Sequence, residues 1–326
     1  MTASPASNNP LCRLNDFGQS VWLDFLSRGL MTRGELASLI EADSVSGVTS
    51  NPAIFEKAIA GSADYDGAIR TLAAAGNTTT KIYERLTVED VGRAADLFRG
   101  VHAATRGRDG FVSLEVSPHL ADDTQGTVAE ARQLWTALDR QNVLIKVPGT
   151  RAGVAAIRAL IAEGISINVT LLFSVARYQE VAEAYLAGLE SRVANGLPIT
   201  GITSVASFFL SRIDTLLDPL LAKAPGGQPL VGEVAIASAK LAYAHYRELI
   251  AGARWRSLAA KGALPQRLLW ASTSTKNPAY SPVKYVEPLV GPETINTMPM
   301  ETIVAYREQG APADRIGASL EQARRT

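Results

Sequence analysis

The chain is short of cysteine, histidine, aromatic residues and long apolar runs, and each shortage closes off a class of function. Its 326 residues hold one cysteine, Cys12, so no intrachain disulfide can form and an oxidising compartment receives no support. No run approaches the roughly 18 apolar residues that mark a membrane span, and Met1 to Pro10 lacks the basic-then-apolar build of a secretory leader. Excess positive charge is missing as well. The 32 Lys+Arg stand against 32 Asp+Glu, which argues against nucleic-acid or membrane-surface partners held by bulk charge. Aromatics make up 6% of the chain, and Trp22, Trp135, Trp255 and Trp270 are scattered rather than grouped as a base-stacking platform. The three histidines, His102, His119 and His245, show no metal-ligand spacing, so no metal is expected. Neither a phosphate-binding P-loop nor a Gly-x-Ser-x-Gly elbow occurs. A cytoplasmic protein is expected.

What is present is a globular composition, 47% hydrophobic and 20% charged, enough for a sizeable core. Short apolar runs alternate with helical patterns. The runs are 20–24, 46–50, 111–116, 143–147, 165–172, 203–207, 267–272 and a weaker one within 285–298. Between them, 127–139, 151–163, 175–195 and 234–251 repeat apolar residues at three- and four-residue spacing. Eight strand candidates in 326 residues give about 40 residues per unit, as in a single (β/α)8 TIM barrel carrying insertions. The longest insertion, 51–111, reads as several short helices. A doubly wound two-domain fold is the alternative, weakened because no Gly-x-Gly-x-x-Gly follows the first strand. Residues 1–18 read as a flexible arm, with Ser, Asn and Pro crowding the first twelve, and 19–326 as the barrel.

In such a barrel the chemistry stands at the C-terminal ends of the strands. Those ends carry Asp24, Asn51, Glu115, Lys146, Asn168 with Thr170, Ser207 and Ser272, polar residues that buried strands have no packing reason to hold. Lys146 is the most informative. The chain uses 24 Arg and only 8 Lys, and only lysine readily loses its proton to become a nucleophile. Two-residue alternation puts Leu144 and Lys146 on one face and Val143, Ile145 and Val147 on the other, which aims the amine into the barrel mouth. Glu115 and Asp24 are candidate acid–base partners. Arg212, about one turn into the helix after Ser207, and Ser272 to Lys276 are candidate phosphate binders. Read blandly, the lysine is a snorkelling cation, the carboxylates its structural partners, and the loops plain caps.

The motifs Gly47-Val-Thr-Ser-Asn-Pro-Ala53, Val112-Ser-Leu-Glu-Val116, Leu144-Ile-Lys-Val-Pro148, Ile167-Asn-Val-Thr-Leu-Leu-Phe-Ser174 and Leu269-Trp-Ala-Ser-Thr-Ser-Thr-Lys-Asn-Pro278 carry a resemblance. From about Gln19 to about Gly310 the chain resembles the transaldolases, in particular the bacterial branch with a long insertion after the second strand. The resemblance implies a class I aldolase-type barrel without metal or organic cofactor. It implies sugar phosphate substrates: a dihydroxyacetone unit passes between sedoheptulose 7-phosphate and glyceraldehyde 3-phosphate in the pentose phosphate pathway. Erythrose 4-phosphate and fructose 6-phosphate result. By the same resemblance Lys146 is the Schiff-base lysine. Glu115 acts through a water held by Thr170, and Asp24 takes the C4 hydroxyl proton. Asn51, Asn168 and Ser207 orient the three-carbon unit, while Phe209 is an aromatic wall and Arg212 a phosphate ligand.

Two departures stand out. Where many relatives have a second phosphate-binding arginine, this chain offers Lys276 in a longer loop; relatives also continue with further helix past the position of Thr326. The competing readings are a plain fructose 6-phosphate aldolase, against which Glu115 and Phe209 argue, and a non-catalytic barrel scaffold, which would need no nucleophile. A monomer or a homodimer is compatible with the sequence.

Overall fold

The structure is a computed structural model and describes residues 9–326. Eight parallel strands close into one barrel in sequence order: β1 (Gln19–Leu23), β2 (Val45–Val48), β3 (Phe111–Glu115), β4 (Val143–Pro148), β5 (Ile167–Leu172), β6 (Ser204–Phe209), β7 (Arg267–Ala271) and β8 (Thr294–Met298). The weak last run resolves into two pieces. Pro288 falls within a single 3-10 turn, Glu287–Leu289, and only Thr294–Met298 joins the sheet. Closure is made by β1 and β8, which pair from Gln19 with Thr294 to Leu23 with Met298.

Two-residue alternation divides the strands between two cores. Val143, Ile145, Val147, Ile167 and Val169 belong to the layer between strands and helices. Trp22, Phe111, Leu144, Val205, Leu269 and Ile295 fill the barrel interior. Lys146 has the parity of Leu144, so the strand aims it inward above that apolar plug. Gly47 leaves room for the plug: a Cβ there would lie 2.5 Å from the Trp22 ring. Beneath, a buried network seals the base. Arg267 pairs with Asp109 at 3.3 Å and donates to Ser20 Oγ at 2.6 Å, while Trp22 Nε1 donates to Asp109 at 2.7 Å.

The helices begin and end on sequence-encoded signals. Arg151–Glu163, for example, starts on Thr150, whose hydroxyl accepts from the Gly153 N–H, and stops at Gly164 with φ +91°. Its Ile157, Leu160 and Ile161 are buried. Between β2 and β3 lie the helices Pro52–Ala60, Asp66–Ala74, Thr79–Leu97 and Arg99–Ala104, so the insertion is helical as expected, with one long member of 19 residues. Buried Arg28, just past β1, clamps that long helix by donating to Asp90 at 2.9 and 3.0 Å.

The flexible arm needs correction. Residues 1–8 lie outside the described residues, but from Asn9 onward the segment is folded. Asn9 caps the short helix Pro10–Arg13, a 3-10 turn follows at Leu14–Phe17, and Leu11 and Leu14 are wholly buried. Those two leucines, set among polar residues, anchor what composition alone reads as loose.

Candidate active site

A cavity of about 340 Å³ opens at the C-terminal ends of the strands. Of the predicted residues, Asp24, Asn51, Glu115, Lys146, Thr170, Ser207, Phe209, Arg212 and Ser272 line it together. They come from seven separate strand ends or the loops just past them, so closure of the sheet is what assembles them.

Lys146 sits at the centre. Its side chain is 6% exposed; Nζ lies 3.2 Å from Glu115 Oε2 and donates to the Ser50 carbonyl at 3.1 Å. The register explains the pairing, since Glu115, Lys146 and Asn168 stand side by side on β3, β4 and β5. Asn168 is fully buried and does not itself line the cavity. Its side chain accepts from Ser207 Oγ at 2.7 Å and donates to Ser113 Oγ at 3.0 Å, which fixes the hydroxyl that does line it. The Thr170 hydroxyl is buried on the cavity wall without a hydrogen-bond partner among the described residues.

Asp24 accepts from Thr49 Oγ1 at 2.7 Å. Since Thr49 gives its proton to Asp24, Thr297 donates to Thr49 across their 2.7 Å contact. Thr49 and Thr297, both lining the cavity, are site residues that strand-end reading missed. Thr49 lay inside the quoted 47–53 motif, yet nothing local tells that it meets β8. Asn51 uses its side-chain oxygen to cap the helix Pro52–Ala60, accepting from the Ile54 N–H at 3.0 Å. That leaves its amide N–H groups for the cavity.

On the far wall Phe209 packs 5.3 Å from Phe173, and the Arg212 guanidinium stands 5.0 Å over the Phe209 ring. Arg212 is the second residue of the helix Ser211–Leu221, nearer its N-terminus than the spacing suggested. The Ser211 and Ser272 hydroxyls meet at 2.8 Å. Lys276 is not on the wall. Its amine donates to Ser274 Oγ at 2.7 Å, and Ser274 lines the cavity in its place. Leu171 and Ser272, both on the wall, hold positive φ values of 61° and 56°, a strained conformation of the kind that gathers at functional sites. Among the described residues no cluster of His, Cys, Asp and Glu is arranged to hold a metal, and no helix is long and apolar enough to cross a membrane.

Fold and site together define a (β/α)8 barrel enzyme built around a buried lysine amine flanked by carboxylates. Residues 21–326 match the family described as transaldolase/fructose-6-phosphate aldolase. The chain is 53% identical to a transaldolase of Saccharopolyspora erythraea, an alignment covering 92% of this chain and 81% of that protein. It is 48% identical to a transaldolase of Trichodesmium erythraeum, covering 96% and 85%. A protein named transaldolase 2 from a Nostoc strain is also 48% identical, covering 97% and 86%. The chain belongs to the transaldolase/fructose-6-phosphate aldolase family.

Proposed function

We infer that this protein is a transaldolase, moving a dihydroxyacetone unit from sedoheptulose 7-phosphate to glyceraldehyde 3-phosphate through a Schiff base on Lys146. The observation that carries the reading is the Lys146–Glu115 pair, 3.2 Å apart and buried in the mouth beside Asp24. An ammonium cannot attack a ketone. Glu115 stands where it can take the proton and later hand it to the departing C2 hydroxyl, so one carboxylate serves both halves of imine formation. The unpartnered Thr170 hydroxyl supports a water position between the two.

Once formed, the iminium draws electrons from the C3–C4 bond. Asp24 takes the C4 hydroxyl proton, the bond breaks, and an aldehyde phosphate leaves. The enamine then attacks the incoming aldehyde. Iminium and lysine supply the electron sink, so this chemistry calls for no metal or organic cofactor. Arg212 and the nearby hydroxyls are the phosphate ligands in this reading, and the enzyme works on sugar phosphates of the pentose phosphate pathway in the cytoplasm.

A coupled assay with fructose 6-phosphate, with and without erythrose 4-phosphate, tests the reading. Turnover is expected only with the acceptor, and borohydride should fix a three-carbon adduct on Lys146 and on no other lysine. Equal turnover without acceptor makes the protein an aldolase instead. An adduct on Lys240 or Lys276 overturns the assignment of the nucleophile.

A further inference from the structure

The two carboxylates of the mouth are held differently. Glu115 pairs with Lys146, whereas Asp24 lines the same cavity and is held from one side by hydroxyls. Thr49 Oγ1 donates to Asp24 Oδ1 at 2.7 Å, and Thr297 Oγ1 stands 2.7 Å beyond Thr49. Among the described residues no hydrogen bond reaches Asp24 Oδ2. Asp24 is half-buried, but Thr49 and Thr297 are each only 2% exposed, so little bulk water competes for their hydroxyls.

The order of donors is fixed by counting hydrogens. An ionised carboxylate only accepts, and a hydroxyl has one hydrogen to give. Thr49 gives its own to Asp24 and so accepts from Thr297. Run backwards, from a protonated Oδ1 through Thr49, the chain would end on a Thr297 hydrogen that has no acceptor among the described residues. A buried unpaired donor is costly, so the forward order holds. Backbone bonds keep the three residues in place. The Asp24 N–H donates to the Met298 carbonyl at 2.8 Å, the Thr49 N–H to Leu23 at 2.9 Å, and the Thr273 hydroxyl to the Thr297 carbonyl at 2.9 Å.

We propose that Thr49 and Thr297 are positioning residues for the reaction, a two-hydroxyl relay that occupies Asp24 Oδ1 and leaves Oδ2 as the single oxygen that moves the C4 proton. The inference rests on the Schiff-base reading above. In cleavage the C4 hydroxyl proton passes to Oδ2, and the O–H electron pair becomes the C=O bond of the leaving aldehyde. The C3–C4 pair forms the C2=C3 bond of the enamine, and the C=N pair returns to the Lys146 nitrogen. In transfer the enamine attacks the incoming aldehyde, and Oδ2 gives the proton to its oxygen. One oxygen held at one angle serves both directions. A carboxylate free to turn offers either oxygen and loses the alignment that proton transfer needs.

The test mixes the full chain with fructose 6-phosphate, without acceptor, and quenches with borohydride at timed points. Mass spectrometry reads the ratio of six-carbon to three-carbon adduct on Lys146. Thr49→Val keeps the shape and removes the hydroxyl. It should slow cleavage roughly 10–100-fold, so that six-carbon adduct accumulates while total adduct forms at the parent rate. Thr49→Ser keeps a hydroxyl at this position and should return the ratio to the parent's. Thr297→Val should move the ratio the same way by roughly threefold. The double variant should be no slower than Thr49→Val, because Thr297 acts only through Thr49. A parent ratio in either folded valine variant overturns the relay, and so does a double variant whose losses multiply. If Thr49→Val does not fold, Thr297→Val decides alone. A parent enzyme that traps no adduct on Lys146 overturns the underlying Schiff-base reading instead.

Discussion

A lysine amine can attack a ketone only once it is free of its proton, so the two carboxylates of the mouth should fail differently when neutralised. Glu115→Gln leaves Lys146 without its 3.2 Å proton acceptor and should slow imine formation roughly 10²–10⁴-fold. Asp24→Asn should form the imine yet leave the carbon–carbon bond uncut, so an intact six-carbon adduct accumulates under borohydride. The same adduct pattern from both variants would contradict the division of labour. Phe209 is the third case. It stands on the cavity wall at 8% exposure, under Arg212, where it can keep water from the enamine. Phe209→Tyr should gain acceptor-independent release of dihydroxyacetone and lose part of its transfer rate. A destabilised variant with an unchanged product ratio would make Phe209 plain packing, a buried unpaired hydroxyl costing about 1–3 kcal/mol. Lys146, Glu115 and Asp24 were legible because each stands at or close to the C-terminal end of its strand on the inward parity, a property read within a few residues. Thr49 and Thr297 were not, because their contact depends on which strands become neighbours at closure. The placing of Lys276 off the wall was not legible for a related reason: a loop has no periodicity to say which way its side chains point.

The helix Ser211–Leu221 turns its polar side inward. Asp214 is buried, accepting from the Ala235 N–H at 2.9 Å and from the Tyr285 hydroxyl at 2.8 Å, while Leu216 and Leu220 are 69% and 61% exposed. Asp218 adds the Tyr280 hydroxyl at 2.7 Å. These bonds lash the helix carrying Arg212 to the segment between β7 and β8, and apolar periodicity cannot reveal such an arrangement. Burial raises the Asp214 carboxyl above its ordinary value, opposed by the Ala235 N–H and the Tyr285 hydroxyl. The native state thus binds this proton more readily than the unfolded chain. Its stabilising effect is complete below the unfolded value of about 3.9 and is lost as pH rises through the raised native one. Asp214→Asn removes that dependence. Its Tm should fall less, or rise more, than the parent's on going from about pH 4 to about pH 7; parallel Tm curves would show that the proton is not held there.

Taken whole, the barrel separates chemistry above from stability below, joined through one apolar plug. Arg267 and Asp109 are the structural pole. Removing one partner leaves the other charge buried, and Arg267→Ala should lower stability by about 3–5 kcal/mol by denaturant titration. The fraction that stays folded should keep its kcat, since the network lies beneath the plug and touches nothing in the mouth. Loss of kcat in folded protein would show that the two ends are coupled. The barrel itself was legible from the rhythm of runs and helices, because each unit buries its own strand between two layers.

The seam between β1 and β8 governs how the chain reaches this state. Gln19 donates to the Thr294 hydroxyl across 275 positions, so the contact closing the sheet is among the most distant in sequence. On the ribosome β1 is made early and keeps one row of N–H and C=O groups unpaired until β8 has emerged. A nascent or truncated chain that stops short of Thr294 carries two such open edges, on β1 and β7, each a template for pairing with another copy.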